Sequence, residues 1–298
     1  MAEYIRLTEQ TLHWFQSLLP PAHQTLREQE GFFILGAVQA GVACGTLVFQ
    51  LQQPAEVPMA NIRFLAVAEG YRRRGIATGL IRFLCRCCYD SVTPVLCTFS
   101  APDKTDPVYL LFAEMEDFSV AEAEGYVCQI PLSCLAGDPT LASLAERGRQ
   151  PRRLFDLSAA ARRSLLLDLK RRGPFYLQAG DEEALVKPLC LYTRDSEHVT
   201  AALFFSRDGT DLELSFAWSA PGGQRDLMGL LGRVAVQFSA GSRGMLRIAA
   251  VSPASAAIVD KLLPGREITA RFYQAAWDME LLEETAAQGE EDDHAFAK

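Results

Sequence analysis

Two periods of apolar recurrence alternate along the first half of the chain, and each change of period marks a new element. Tyr4 to Leu7 is a short β-type run, followed by a helical pattern opened by Thr8 as cap with Glu9 in its first turn and stopped by Pro20-Pro21. A second short helix is expected near Ala22 to Gln29. Phe32 to Gln39 and Ala43 to Leu51 are strand-like runs joined by Ala40-Gly41, a hairpin signal because glycine takes the positive φ such turns need. Ile62 to Ala68 reads as a third strand. Ile76, Leu80, Phe83, Leu84 and Cys87 then recur at helical spacing, so an amphipathic helix is expected over Gly75 to Tyr89, packed on the sheet. Pro94 to Ser100 alternates as a further strand. Asp106 to Glu116 follows as a helix started by Pro107, and Val120 and Tyr126 to Pro131 read as closing strands.

From Gly137 to Arg153 the apolar period fades while Gly, Pro and Arg accumulate, which is linker composition and places a boundary near residue 150. The second half then repeats the element order in blurred form. Helices are expected over Ser158 to Arg172, Asp226 to Phe238 and Pro253 to Leu263. Strands are expected over Val199 to Ser206, Leu212 to Trp218 (around the Asp208-Gly209 turn), Met245 to Val251 and Ile268 to Trp277. The reading is thus a domain over 1–140, a linker over 141–153, a second domain over 154–279 and an acidic, mobile tail over 280–298.

Length and composition fit this division. At 298 residues the chain is long enough for two buried cores, and with 49% hydrophobic and 22% charged residues it is neither disordered nor fibrous in type. The net charge is −8, and −6 of it lies from Glu280 onward, so the body is close to neutral. That balance argues against nucleic-acid or anionic-membrane partners, which reward clustered Lys and Arg. No apolar stretch reaches the roughly 18 residues of a membrane helix. The amino terminus has no basic region followed by an apolar core, so a cytoplasmic location is expected. Seven of the eight cysteines lie in the first half on apolar segments and read as reduced, small hydrophobes.

The chemistry-bearing segment runs from Leu65 to Leu80: a strand, a tight turn holding Arg72, Arg73 and Arg74, then a helix whose start carries Gly75, Ala77 and Thr78. Unpaired N–H groups and the positive dipole end of that helix make a seat for phosphate. The small residues let a diphosphate approach the main chain closely. Arg72-Arg73-Arg74-Gly75-Ile76-Ala77 resembles the (Gln/Arg)-x-x-Gly-x-(Gly/Ala) loop of the GNAT superfamily of acetyl-CoA-dependent N-acyltransferases. That resemblance implies an α/β (α+β) fold with a mixed, mostly antiparallel central sheet flanked by helices, here in tandem with a degenerate second copy. It implies acetyl-CoA as co-substrate, with the main chain of Leu65, Ala66 and Val67 holding the pantetheine arm. The N–H groups from Arg73 to Thr78, Ile76 and Ala77 among them, would hold the diphosphate. The strand around Val95 to Phe99 would splay away to admit the thioester.

The family often shows Asn-x-x-Ala-x-x-Leu-Tyr-x-x-x-Gly-Phe on the next helix, its tyrosine serving as general acid. Asp106, Tyr109, Phe112, Ala113, Asp117 and Phe118 fall on those positions, so the tyrosine is absent. Tyr109, one turn before Ala113, shares its helix face and is the candidate acid or, alternatively, a core aromatic. Glu69 is the nearest candidate base, or else an exposed charge. Ser219-Ala220-Pro221-Gly222-Gly223-Gln224-Arg225 precedes the corresponding second-half helix without the loop's spacing, and Gly222-Gly223 reads as a flexible turn. Cys85-Arg86-Cys87-Cys88 lacks the further ligands a zinc site needs, so no metal is expected. The four histidines belong to no triad pattern. The expected activity is acetyl transfer to a small-molecule or peptide amine by direct attack. The alternatives are a non-catalytic acyl-CoA-binding regulator on the same fold and a scaffold recruiting a basic partner through the tail.

Overall fold

A computed structural model describes residues 2–20, 23–24, 31–53, 58–172, 185–196 and 198–277. The expected helix near 22–29, almost entirely, and the acidic tail over 280–298 lie outside these residues. The chain divides into two compact units, one of residues 1–124 with 271–298, the other of residues 125–270. This boundary differs from the expected one at both ends, for reasons visible in the strands.

In the first unit, β1 (Glu3–Arg6), β2 (Phe32–Gln39), β3 (Val42–Gln52) and β4 (Met59–Val67) pair in succession, each antiparallel to the last. The hairpin turn of β2 and β3 has positive φ at both Ala40 and Gly41. Where a helix opened by Thr8 was expected, a 3-10 turn spans Leu12–Leu18, and Thr8 and Thr11 close a hydroxyl-bonded turn before it. The side chains that bury there, Leu12 and Phe15, are three apart, which a three-residue turn eclipses on one side. Helix α1 (Ile76–Tyr89) packs its apolar stripe on the sheet, with Leu80, Ile81 and Leu84 fully buried. Each such side chain contributes about 1.5–3 kcal/mol. β5 (Val95–Ala101) runs parallel to β4, and α2 (Pro107–Ala113) is capped by the Asp106 carboxylate, which accepts from the Val108 N–H.

The two expected closing strands are one, β6 (Phe118–Pro131); its first half belongs to the first unit and residues 125–131 to the second. The last strand, β12 (Glu267–Trp277), is divided the other way: Arg271 to Ala276 pair antiparallel with β5 in the first unit. Each unit therefore completes its sheet with a strand segment from the opposite half of the sequence, so the expected division at 140 and 154 does not hold.

The second unit contains α3 (Pro139–Ala145), β7 (Arg152–Arg153), α4 (Ala159–Arg172), β8 (Leu191–Arg194), β9 (Val199–Asp208), β10 (Asp211–Ser219), α5 (Gln224–Ala235), β11 (Met245–Ala250) and α6 (Pro253–Leu262). Strands β7 to β10 pair antiparallel in order, β10 and β11 parallel, and β11 pairs antiparallel with residues 126–131 of β6. The expected linker holds a packed helix instead. Asp138 caps α3, Leu141 and Leu144 join the core, and α3 lies so close to α5 that a Cβ on Gly232 would stand 2.4 Å from the Ala145 nitrogen. Among the described residues no helix is long and apolar enough to cross a membrane.

Candidate active site

The site begins with a fault in the first unit's sheet. β4 pairs with β5 only at Ala60, Asn61 and Ile62, opposite Val95, Leu96 and Cys97. Immediately after, the register of β4 against β3 slips by one: Ile62 faces Phe49 and Phe64 faces Val48, leaving Arg63 as an extra residue. Such a bulge bends and twists its strand. β4 continues to Val67 still bonded to β3, while β5 continues to Ala101 bonded to β12. The two strands thus part from Arg63 onward, and one edge of β4 faces a slot.

Which groups face it follows from alternation. The Ala68 N–H donates to the Cys44 carbonyl across β3 (2.9 Å), so Ala66, two residues earlier, also turns its main chain to β3. Leu65 and Val67 therefore present their N–H and C=O groups to the slot. Of the three residues expected to hold a pantetheine arm, Ala66 is thereby removed, because its main chain is spent on the ladder.

Past the strand, Glu69–Tyr71 forms a 3-10 turn. Glu69 is exposed there, and among the described residues its carboxylate has no partner; its carbonyl accepts the Arg72 N–H. The arginine triplet is exposed but not uniform. Arg72 donates from Nε to the Val67 carbonyl (3.1 Å), bracing the loop against the strand end, and Arg74 lies over the Tyr71 ring at 5.6 Å. Arg73 has φ +57 and Gly75 has φ +75 as the N-cap of α1, a conformation that favours glycine. Gly75 is exposed, and a Cβ on it would meet nothing within 4 Å, so the requirement at this position is backbone freedom and open approach. The first i to i−4 bond of the helix is donated by Gly79 to Gly75, which leaves the N–H groups of Ile76, Ala77 and Thr78 ahead of it without intrahelical partners. The Ile76 side chain is buried against Gly45 of β3 and fixes the helix start. Ala77 and Thr78 are half-buried beside it.

Gly79 is a residue the sequence reading passed over. The Tyr4 hydroxyl lies 1.9 Å from where its Cβ would be, and Tyr4 stacks on Phe83 (6.2 Å), so β1 covers the helix one turn above the loop. A glycine inside a strongly amphipathic helix was the available signal.

Tyr109 is half-buried on α2 and meets the buried Tyr273 ring edge-on, centroids 4.9 Å apart. Phe99, Phe112 and Tyr273 stack behind it. Ala113, at the family's tyrosine position, is exposed at the end of the helix.

Cys85 and Cys88 are buried in α1; burial, first of all, raises both thiols, Cys88 to about 11, so both stay protonated at neutral pH. Among the described residues no cluster of three or more His, Cys, Asp or Glu gathers that could hold a metal.

Residues 3–92 match the Acetyltransferase (GNAT) family. No curated protein matches the chain. Among solved structures, the tandem GNAT protein from the clavulanic acid biosynthesis pathway is 13% identical, with 93% of this chain and 98% of that chain covered and a TM-score of 0.57. A conserved protein of unknown function from Enterococcus faecalis V583, described as a probable N-acyltransferase, is 12% identical over 93% of this chain and 72% of its own, with a TM-score of 0.55. A GCN5-related N-acetyltransferase from Anabaena variabilis ATCC 29413 is 12% identical over 92% and 72%, at 0.53. At these identities the likeness establishes the fold over the whole chain.

Proposed function

With residues 3–92 a GNAT acetyltransferase segment and the whole chain in that family's fold, we propose that the protein transfers an acetyl group from acetyl-CoA to an amine in its first unit. The observation that carries this reading is the open edge of β4, which leads from Leu65 and Val67 directly to the exposed Gly75 and the first turn of α1. The slot edge suits an amide-bearing arm, and the helix start suits the two linked phosphates, with Arg72 to Arg74 around them.

In the transfer, the amine nitrogen bonds to the thioester carbon, the carbon–sulfur bond breaks, and the amine's proton leaves while the thiolate gains one. The chain's part is to align the two reactants, which by itself removes several kcal/mol of barrier, and to donate an N–H to the developing oxyanion. Val67 is the residue assigned to that N–H, being the last slot-facing group of β4. Tyr109 is the candidate acid for the thiolate, held by Tyr273. Glu69 has no positioning contact, so the amine's proton is assigned to solvent.

The acceptor is a small-molecule or peptide amine. A second reading, acyl-CoA binding without transfer, is favoured by one observation, the exposed Ala113 where the family places its acid. Titration calorimetry with acetyl-CoA, followed by release of free thiol across an amine panel, decides between them. Binding with amine-stimulated release supports transfer, binding without release supports the second reading, and absence of binding removes both.

A further inference from the structure

The second unit repeats the backbone fault of the first. β10 and β11 pair only at Leu212 with Leu246 and Glu213 with Arg247. Immediately after, Leu214 faces Phe205 and Phe216 faces Phe204, so Ser215 is an extra residue, as Arg63 is in β4. The Ala220 N–H donates to the Thr200 carbonyl (2.9 Å), which turns Ala217 and Ser219 outward from the ladder toward β11. Here the slot is a cavity of about 380 Å³ between the parted strands and helices α5 and α6. Its walls include Leu214, Trp218, Leu227, Leu231, Ile248 and Ile258, and none of its 22 lining residues is charged. Two of the three lining serines are already engaged within the protein: Ser215 donates to Ser206, and Ser255 completes the cap of α6 with Ser252.

We infer that this cavity binds a neutral acyl amide, an uncharged aliphatic chain of up to about a dozen heavy atoms ending in one amide group. The chemistry of the walls selects it. Burying a charge without a partner is prohibitive, so an uncharged lining selects against ionised ligands. The space is well over twice the roughly 150 Å³ of an apolar cavity that holds benzene, so it admits a chain of medium length. Among the described residues, the polar groups left to the ligand include the main-chain N–H and C=O of Ala217 and Ser219, a donor and acceptor edge that a single amide completes, with the Ser219 hydroxyl beside it. The arginine-bearing turn of the first unit has no counterpart here, because α5 begins at Gln224, four residues after Ala220.

Trp218 lines the cavity and reports occupancy. Decanamide, titrated into the full chain, should bind one per chain and shift the tryptophan emission. Affinity should rise about fourfold per methylene from butanamide upward while the chain fits. Decanoate, the same chain with a charge, should bind at least thirtyfold more weakly. Ile258→Trp, which fills the space, should weaken decanamide at least tenfold by calorimetry at an unchanged melting temperature; if it fails to fold, Leu231→Trp serves. Trp218→Phe should remove the spectral change and keep the heat. Gly75→Glu, in the other unit, should leave decanamide binding unchanged, which separates this site from the proposed transferase slot. The inference is overturned by absence of saturable binding, by equal binding of decanoate, by indifference to the filling variants, or by displacement of decanamide by acetyl-CoA in the Gly75→Glu protein.

Discussion

Replacing Gly75 in turn by alanine, glutamine and glutamate separates what the backbone needs from what an anion needs. An alanine Cβ would meet no atom within 4 Å, so its only structural cost is the left-handed backbone at φ +75, about 1–2 kcal/mol. In a chain of this size that lowers the melting temperature by a few degrees, since each kcal/mol is worth about 2–4 °C. Glutamine adds length without charge, and glutamate adds a negative charge beside the helix start. If the diphosphate sits there, each unit charge on it at about 4 Å repels the carboxylate by about 1 kcal/mol in water and about 4 at a protein surface. Taking about 2–3 kcal/mol between those limits, glutamate should weaken acetyl-CoA about 30- to 150-fold relative to glutamine. The gap should shrink in 0.5 M salt, because the loop is exposed. Titration calorimetry at two salt concentrations, with melting curves as the folding control, measures all of this. Equal affinity of the glutamate and glutamine proteins at low salt would refute the placement of the diphosphate at this turn.

Three further outcomes follow from contacts already described. Tyr109→Phe keeps the ring against Tyr273, so stability should change by less than about 0.5 kcal/mol while the rate of CoA release at saturating amine falls about a hundredfold; an unchanged rate reassigns the proton to solvent. Asp226, 4% exposed, accepts from the Thr200 hydroxyl (2.6 Å), the Arg149 main chain (2.8 Å) and the Arg149 guanidinium. Burial raises its carboxyl, but these donors together outweigh that and hold it below the ordinary carboxylate value. Asp226→Asn should therefore cost about 2–3 kcal/mol in urea unfolding near neutrality. The wild-type advantage should be complete above the unfolded value near 3.9 and lost as pH falls through the depressed folded value; a difference independent of pH would be inconsistent with it. Gly223→Ala would put a Cβ 2.1 Å from the Thr200 carbonyl oxygen and should cost more than about 3 kcal/mol, whereas Gly222→Ala, in open space at φ +80, should cost about 1, both by denaturant titration.

Much of the framework was legible because it rests on local signals. The Ala40-Gly41 hairpin, the stripe of α1 and the glycine that begins it are each written in a few neighbouring residues. What escaped was non-local. A bulge such as Arg63 or Ser215 exists only relative to a partner strand's count of residues, and neither side chain differs from an ordinary strand residue. The exchange of strand halves between units was hidden for the same reason: Arg271 to Ala276 read as a strand, but nothing in them names β5 as the neighbour. The linker expected from residue 141 covers most of α3, which is only two turns long, and two turns show too little period to outvote the surrounding Gly and Arg. The glycine that accepts α3, Gly232, and the one that accepts the turn after it at Arg147, Gly229, lie more than eighty residues away on α5. Gly222-Gly223, read as a flexible turn, is a turn whose second glycine is wedged against β9.

The two units use one backbone device, and chain length after it decides what each can hold. In the first, α1 starts at Ile76, eight residues beyond Ala68; in the second, α5 starts at Gln224, four beyond Ala220. The four additional residues accommodate the arginine triplet and let Gly75 cap the helix in open space. Without them, α5 begins against β9, with Gly223 pressed on Thr200 and the buried Asp226 carboxylate in the helix's first turn. A carboxylate supplied by the chain itself, paired with the Arg149 guanidinium, already complements that dipole end, so an arriving anion would find it taken. Loop shortening together with one internal carboxylate would thus leave the second unit without the seat for diphosphate expected in the first. Neither change touches the parted strands, so the slot persists with its apolar walls and its main-chain edge while the charge that would recruit a coenzyme is gone.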